Sequence, residues 1–149
     1  MTQRSDYQTH AAAGMRALGG VHLYVGKSGL PKTLIDLVYL RTSQINGCAY
    51  CIDMHTRDLQ KEGVPVEKLM LLSAWREAGE YFSERERAAL AWTESVTAIS
   101  ETHAPDADYA AASAQFDEKE LADLTLAIAL MNAYNRMAIA FRRGPEQPK

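Results

Sequence analysis

The sequence predicts an all-α fold, a single-domain bundle of about six or seven helices over residues 1–149. Three observations predict it. Apolar residues recur three or four positions apart along most of the chain, the period of a helix face. No stretch alternates apolar and polar residues as a half-buried strand does. Two segments, Ser83-Glu84-Arg85-Glu86 and Asp117-Glu118-Lys119-Glu120, carry the spacing of a capping box, in which two side chains satisfy the first free N–H groups of a helix.

The elements follow in order. Tyr7, Ala11, Met15, Leu18, His22 and Val25 outline a helix over 7–26, with Gly19-Gly20 as a place where it could break. Pro31 suits a first helical turn, where its missing N–H is not needed. Leu34, Leu37, Val38 and Leu40 carry the second helix to the Asn46-Gly47 turn. A third helix is expected from about Cys48 to Glu62, stopped by Gly63. A fourth follows Pro65 through Leu69, Leu72 and Trp75 and fades near Gly79. The first capping box opens a fifth helix through Leu90, Trp92, Val96 and Ile99, followed by a loop over 101–107 with Pro105. A short alanine-rich helix runs to about Gln115. The second capping box opens a last helix to about Phe141, apolar almost all round between Leu124 and Met131, as in a helix covered by a core or a partner subunit. Residues 144–149 are expected to form a loose tail.

Composition narrows the function. The chain of 149 residues carries a net charge of −3 with both signs mixed, so no basic face for nucleic acid or an anionic membrane is expected. No run of about 18 apolar residues occurs, so no membrane span is expected. The N-terminal residues lead into no signal-peptide pattern, and the expected compartment is the cytoplasm. There, two close cysteines read as catalytic or metal-binding and not as a structural staple.

The two cysteines of the chain are Cys48 and Cys51, with His55 four residues on. At ~100° per residue, Cys51 and His55 fall about 60° and about 20° from Cys48, so all three share one helix face. Cys48 sits at the helix start, where free N–H groups and the helix dipole stabilise a thiolate. Cys51 and His55 stand at i and i+4, where a histidine can take a thiol proton. The dipole favours Cys48 as the attacking sulfur and the base favours Cys51. General-base contact is the more specific effect, so Cys51 is read as the thiolate that attacks peroxide and Cys48 as the thiol that closes the disulfide. Recycling then requires an external dithiol donor, because no third cysteine exists. A zinc site would need a fourth ligand from His22, His103 or a carboxylate, and no metal or other cofactor is assigned. Simple burial of two small apolar side chains is the remaining alternative.

The block from Leu37 to His55 resembles the alkylhydroperoxidase D-like group of the carboxymuconolactone decarboxylase family. The pattern is an acid twelve residues before the first cysteine, then Cys-x-x-Cys-x-x-x-His. Glu86 to Trp92 and Asn132 to Arg136 are similar as well, so the likeness covers roughly residues 30 to 140. It implies an all-helical fold that assembles as a homo-oligomer, a trimer or hexamer. It implies reduction of organic hydroperoxides without metal or haem. The implied catalytic residues are Cys51 as the peroxide-reactive cysteine, Cys48 as its resolving partner, and His55 and Asp36 as proton relays, within a redox motif at 36–55. Here the acid is aspartate where the family typically has glutamate, and Tyr50 stands where well-studied members have histidine.

From position alone, Asp36 reads as a solvated residue. Asn132, Asn135 and Arg136 on an apolar helix read as ties between helices or as caps of the active-site helix. His22 reads as a packing histidine, with a place facing a pocket from the first helix as the alternative; His103 reads as an exposed loop residue, and Trp75, Trp92 and Tyr134 as core or interface anchors. The function expected is a thiol-dependent peroxidase acting on a hydroperoxide substrate. The alternative is a redox-sensing interaction protein with little turnover.

Overall fold

The computed structural model describes residues 2–145, and all regular structure among them is helical. The helices are α1 (Tyr7–His10), α2 (Ala12–Gly26), α3 (Lys32–Asn46), α4 (Ala49–Lys61), α5 (Val66–Leu71), α6 (Glu84–Thr97), α7 (Ile99–Thr102), α8 (Asp106–Ser113) and α9 (Glu118–Ala140). The count exceeds six or seven because α1 and α7 are single turns. Residues 146–149 of the expected tail lie outside the described residues, and Gly144 and Pro145 have no regular structure.

The centre of the molecule is α3, which packs against α4, α6 and α9. Every residue from Leu34 to Leu40 is buried, a helix covered on all sides. Its side chains divide two apolar clusters. Leu34, Ile35, Val38 and Tyr39 join Cys48, Cys51, Leu124, Ile128 and Met131. Leu37 and Leu40 join Leu59, Leu69, Leu72, Trp75, Phe82 and Leu90. The sequence pattern pointed to α9 as the helix covered all round. Within this chain Leu126, in that stretch, is 38% exposed, as is Ile139 beyond it at 44%, so the chain's own core leaves a face of α9 uncovered.

Other departures have local causes. Gly19-Gly20 lies inside continuous helix, and the break falls at Ala11. Residues before it are held elsewhere: Tyr7 packs on Phe141 at 5.3 Å between ring centres, and the Arg4 N–H donates to the Phe141 carbonyl. The fourth helix tightens after Leu71 into a 3-10 segment, Leu72–Glu77, as Trp75 turns into the second cluster and donates to Glu94. The fifth ends at Thr97 because Ala98 leaves helical geometry, and the expected loop shrinks to 103–105. Both capping boxes form with both reciprocal bonds. Each such cap is worth about 1 kcal/mol. Among the described residues no helix is long and apolar enough to cross a membrane.

Candidate active site

The start of α4 is built by the end of α3. Gly47 adopts a left-handed conformation (φ 72°), which residues with a Cβ disfavour, and closes α3. The Cys48 N–H then donates to the Ser43 carbonyl at 3.0 Å. The Asn46 side chain donates to Asn132 and Asn135 at 3.0 Å each, and Asn135 donates to the Ser43 hydroxyl at 3.1 Å. These amides tie the turn to α9 and fix where α4 begins. Arg136 adds bonds to Asn132.

Cys48 is the N-cap of α4, and its sulfur accepts from the Cys51 N–H at 3.4 Å. The two cysteines form a disulfide across a Cα–Cα separation of 5.4 Å. Both are buried, but they differ in access. Cys51 lines a cavity of about 220 Å³ and Cys48 does not. His55, Tyr50, Met54 and, across from α4, His22, Met131 and Tyr134 share that lining. His22 is therefore an exposed pocket residue stacked on Tyr39 (6.0 Å), not one enclosed in the core, because α2 lies at the rim. His103 is exposed in its loop, and Trp75 and Trp92 are core anchors.

His55 is 4% exposed, and neither ring nitrogen has a hydrogen-bond partner within the protein. Leaving such a group unpaired costs about 1–3 kcal/mol. Burial pushes its pKa down to about 4, with Asp58 opposing and His22 and Lys32 adding to the fall. The imidazole is thus neutral at neutral pH and free to accept a proton. Its ring lies 5.2 Å from that of Tyr39, whose buried hydroxyl is also unpaired and whose pKa burial raises.

Asp36 is 6% exposed, not solvated, because its helix is the central one. One carboxylate oxygen stands 3.8 Å from His55 Nδ1, too far for a direct hydrogen bond but close enough for charge to act. The other accepts from Lys32 Nζ at 2.5 Å. Lys32 also meets Glu62, which accepts from the Thr33 hydroxyl at 3.0 Å. Burial raises the Asp36 pKa to about 6; Lys32 pulls against this rise and Glu62 adds to it. Glu62 moves the other way: burial works against it, but its bonds hold its carboxyl below the usual range. The four groups form a polar line from buried His55 to Lys32, whose side chain is 71% exposed.

Lys32, Glu62 and Tyr39 had not been singled out in the sequence. The i,i+4 spacing of Lys32 and Asp36 is a readable signal for one of them. Glu62 joins only through the packing of α4 on α3. Among the described residues no group of three or more His, Cys, Asp or Glu side chains converges as metal ligands.

The carboxymuconolactone decarboxylase family profile matches residues 9–95, more than half of the chain. The chain belongs to the carboxymuconolactone decarboxylase family. Another relative is the uncharacterized protein YdfG of Bacillus subtilis, 38% identical over 94% of this chain and 95% of its own. A crystal structure of an Agrobacterium tumefaciens protein of unknown function, provisionally described as the antioxidant defence protein AhpD, superposes with a TM-score of 0.94. It is 37% identical and covers 99% of this chain and 100% of its own. An alkyl hydroperoxide reductase AhpD of Methylocella silvestris matches over 43 residues at 46% identity, 29% of this chain and 24% of that protein. The fold of this family member is thus the AhpD-like helical one.

Proposed function

We propose that the protein is a thiol-dependent peroxidase that reduces organic hydroperoxides by cycling Cys48 and Cys51 between dithiol and disulfide. One observation carries the reading: of a bonded cysteine pair, one sulfur alone lines a pocket, and a buried unpaired histidine lines it too. The family membership supports the same chemistry.

The cycle begins with both thiols reduced. Neutral His55 takes the proton of Cys51, and the imidazolium is stabilised by the Asp36 carboxylate. The Cys51 thiolate attacks the outer oxygen of the hydroperoxide. An S–O bond forms, the O–O bond breaks, and the alkoxide leaves with the proton from His55 as an alcohol. Cys51 is now a sulfenic acid. The Cys48 sulfur, held at the helix N-terminus, attacks it; the S–O bond breaks and hydroxide leaves with the Cys48 proton as water. An external dithiol donor then supplies two electrons and two protons through a mixed disulfide, restoring both thiols. Lys32 and Glu62 connect Asp36 to solvent protons. Asp36, Lys32 and Glu62 are positioning residues here, because they act through His55.

We place this cycle in the cytoplasm, in a homo-oligomeric assembly (a trimer or hexamer) that covers the exposed side of α9. The test of the reading is stoichiometric. Reduced protein titrated with cumene hydroperoxide should lose two thiols per peroxide and regain them with a dithiol. No thiol loss would overturn the proposal. Slow loss without turnover under any donor would favour a redox-sensing interaction protein instead.

A further inference from the structure

The pocket that opens onto Cys51 also holds a cation. Arg143 lies just beyond α9 and is half-buried. Its backbone N–H is fixed to the Ala138 carbonyl at 2.9 Å, after a left-handed turn at Arg142 (φ 56°). Its guanidinium stacks over the Tyr50 ring at 3.9 Å and reaches the Tyr7 hydroxyl at 3.5 Å. Of the other half-buried arginines, Arg41 and Arg85 each meet a glutamate, and Arg87 spends its N–H groups on the Arg76 and Gly79 carbonyls. Among the described residues, no carboxylate lies within 4 Å of Arg143.

Its position is that of a gate. Tyr7, Gln8 and Arg143 line the Cys51 pocket and also a second, more open depression with Gln3, Ser5 and Asp6. They form one edge of the pocket where it meets solvent, and exposed His22 on α2 forms another. Beyond them the pocket body is formed by Met15, Met54, Met131 and Tyr134, soft apolar surfaces. A guanidinium held flat on an aromatic ring keeps its N–H groups in its own plane; one of them reaches Tyr7 through a long contact, and the others are available to a carboxylate.

We propose that Arg143 is the anion anchor of the substrate pocket, selecting hydroperoxides that combine a small apolar body with a carboxylate. The volume sets the size of that body. At about 220 Å³ the pocket exceeds the ~150 Å³ cavity that holds one benzene, so a single ring with short substituents fits. The inference rests on the peroxidase reading for its chemistry, but the anion site is a binding claim and is tested separately.

The experiment compares cumene hydroperoxide with its para-carboxylate, in wild type, Arg143→Met and Arg143→Lys. The wild type is expected to show about tenfold higher kcat/KM for the carboxylate, as one charge-assisted pair supplies. Arg143→Met should lower kcat/KM for the carboxylate about tenfold more than for cumene hydroperoxide, mostly through KM, and Arg143→Lys should retain part of the preference. Equal kcat/KM for the two peroxides in the wild type, or equal losses in Arg143→Met, would overturn the anchor. Should neither peroxide be reduced by the wild type, the peroxidase reading falls and calorimetry decides the site. Tighter binding of 4-isopropylbenzoate than of 4-isopropylbenzamide, lost in Arg143→Met, supports it; equal or absent binding of both overturns it.

Discussion

The imidazole of His55 meets opposite surroundings on its two sides. Toward the pocket it faces Cys51, Tyr50 and the methionines, a setting with few charges. Toward α3 it faces Asp36, and through it Lys32 and Glu62, which end at the surface. On the apolar side the groups next to the Cys51 sulfur are His55 and the helix start, and the one full charge in the lining, Arg143, sits over Tyr50. The ionic side contains no sulfur, and Asp36, Lys32 and Glu62 do not line the Cys51 pocket. The contrast separates two jobs that a single buried histidine has to combine: making a nucleophile in a largely apolar pocket, and exchanging its proton with water on the side away from that pocket.

Substitutions on the pocket side should break the chemistry outright. Cys51→Ser is expected to abolish hydroperoxide consumption, followed by loss of a chromogenic peroxide assay. His55→Gln should slow thiol oxidation by about a hundredfold or more, the usual scale for a lost general base, measured by stopped-flow at pH 7. A control lies in the second apolar cluster, which holds neither cysteine. Leu72→Ala should cost about 2–5 kcal/mol of stability in urea unfolding, while its oxidation rate at low temperature stays near that of the wild type.

The ionic side should report through pH. Folded His55 binds a proton only near pH 4, against 6.5 ordinarily, so the unfolded chain binds more protons between those values and stability falls as pH drops through them. Asp36 runs the other way. Its folded carboxyl binds a proton near pH 6, against 3.8 ordinarily, so stability rises as pH drops from 6 toward 4. The two contributions offset. Asp36→Asn removes the second, and its Tm should fall more steeply than that of the wild type between pH 6.5 and 4.5; parallel profiles would contradict the buried pair. Glu62→Gln should have the smallest effect, a severalfold slowing of oxidation that is confined to low buffer concentration, because added buffer replaces a surface proton route.

Much of this was readable from residues and some was not. The helices came from period and caps, which are local properties, and Ser83, Asp117, Gly47 and Gly63 mark the boundaries where they fall. The motif face also came from local spacing, since Cys48, Cys51 and His55 lie within one helix start. Burial of Asp36 was not legible, because it depends on α3 being the central helix. Nor was the difference in access between Cys48 and Cys51, which is set by how α2 and α9 close over α4. Asn132 and Asn135 read from sequence as ties between helices or as support for the start of the motif helix, but their partner, Asn46 in the turn before Cys48, comes only from the packing of α9 on α3. Glu62 and Arg143 gained their meaning purely from tertiary placement.

The central claim is that Cys51, which lines the pocket, attacks and Cys48, which does not, resolves. Sulfenic-acid trapping tests it most directly. Reduced Cys48→Ser and Cys51→Ser proteins are each given one equivalent of cumene hydroperoxide with dimedone present, and intact mass is measured. The account predicts one dimedone adduct, at Cys51, in Cys48→Ser and none in Cys51→Ser. An adduct at Cys48 in the Cys51→Ser protein, with none in its counterpart, would contradict it.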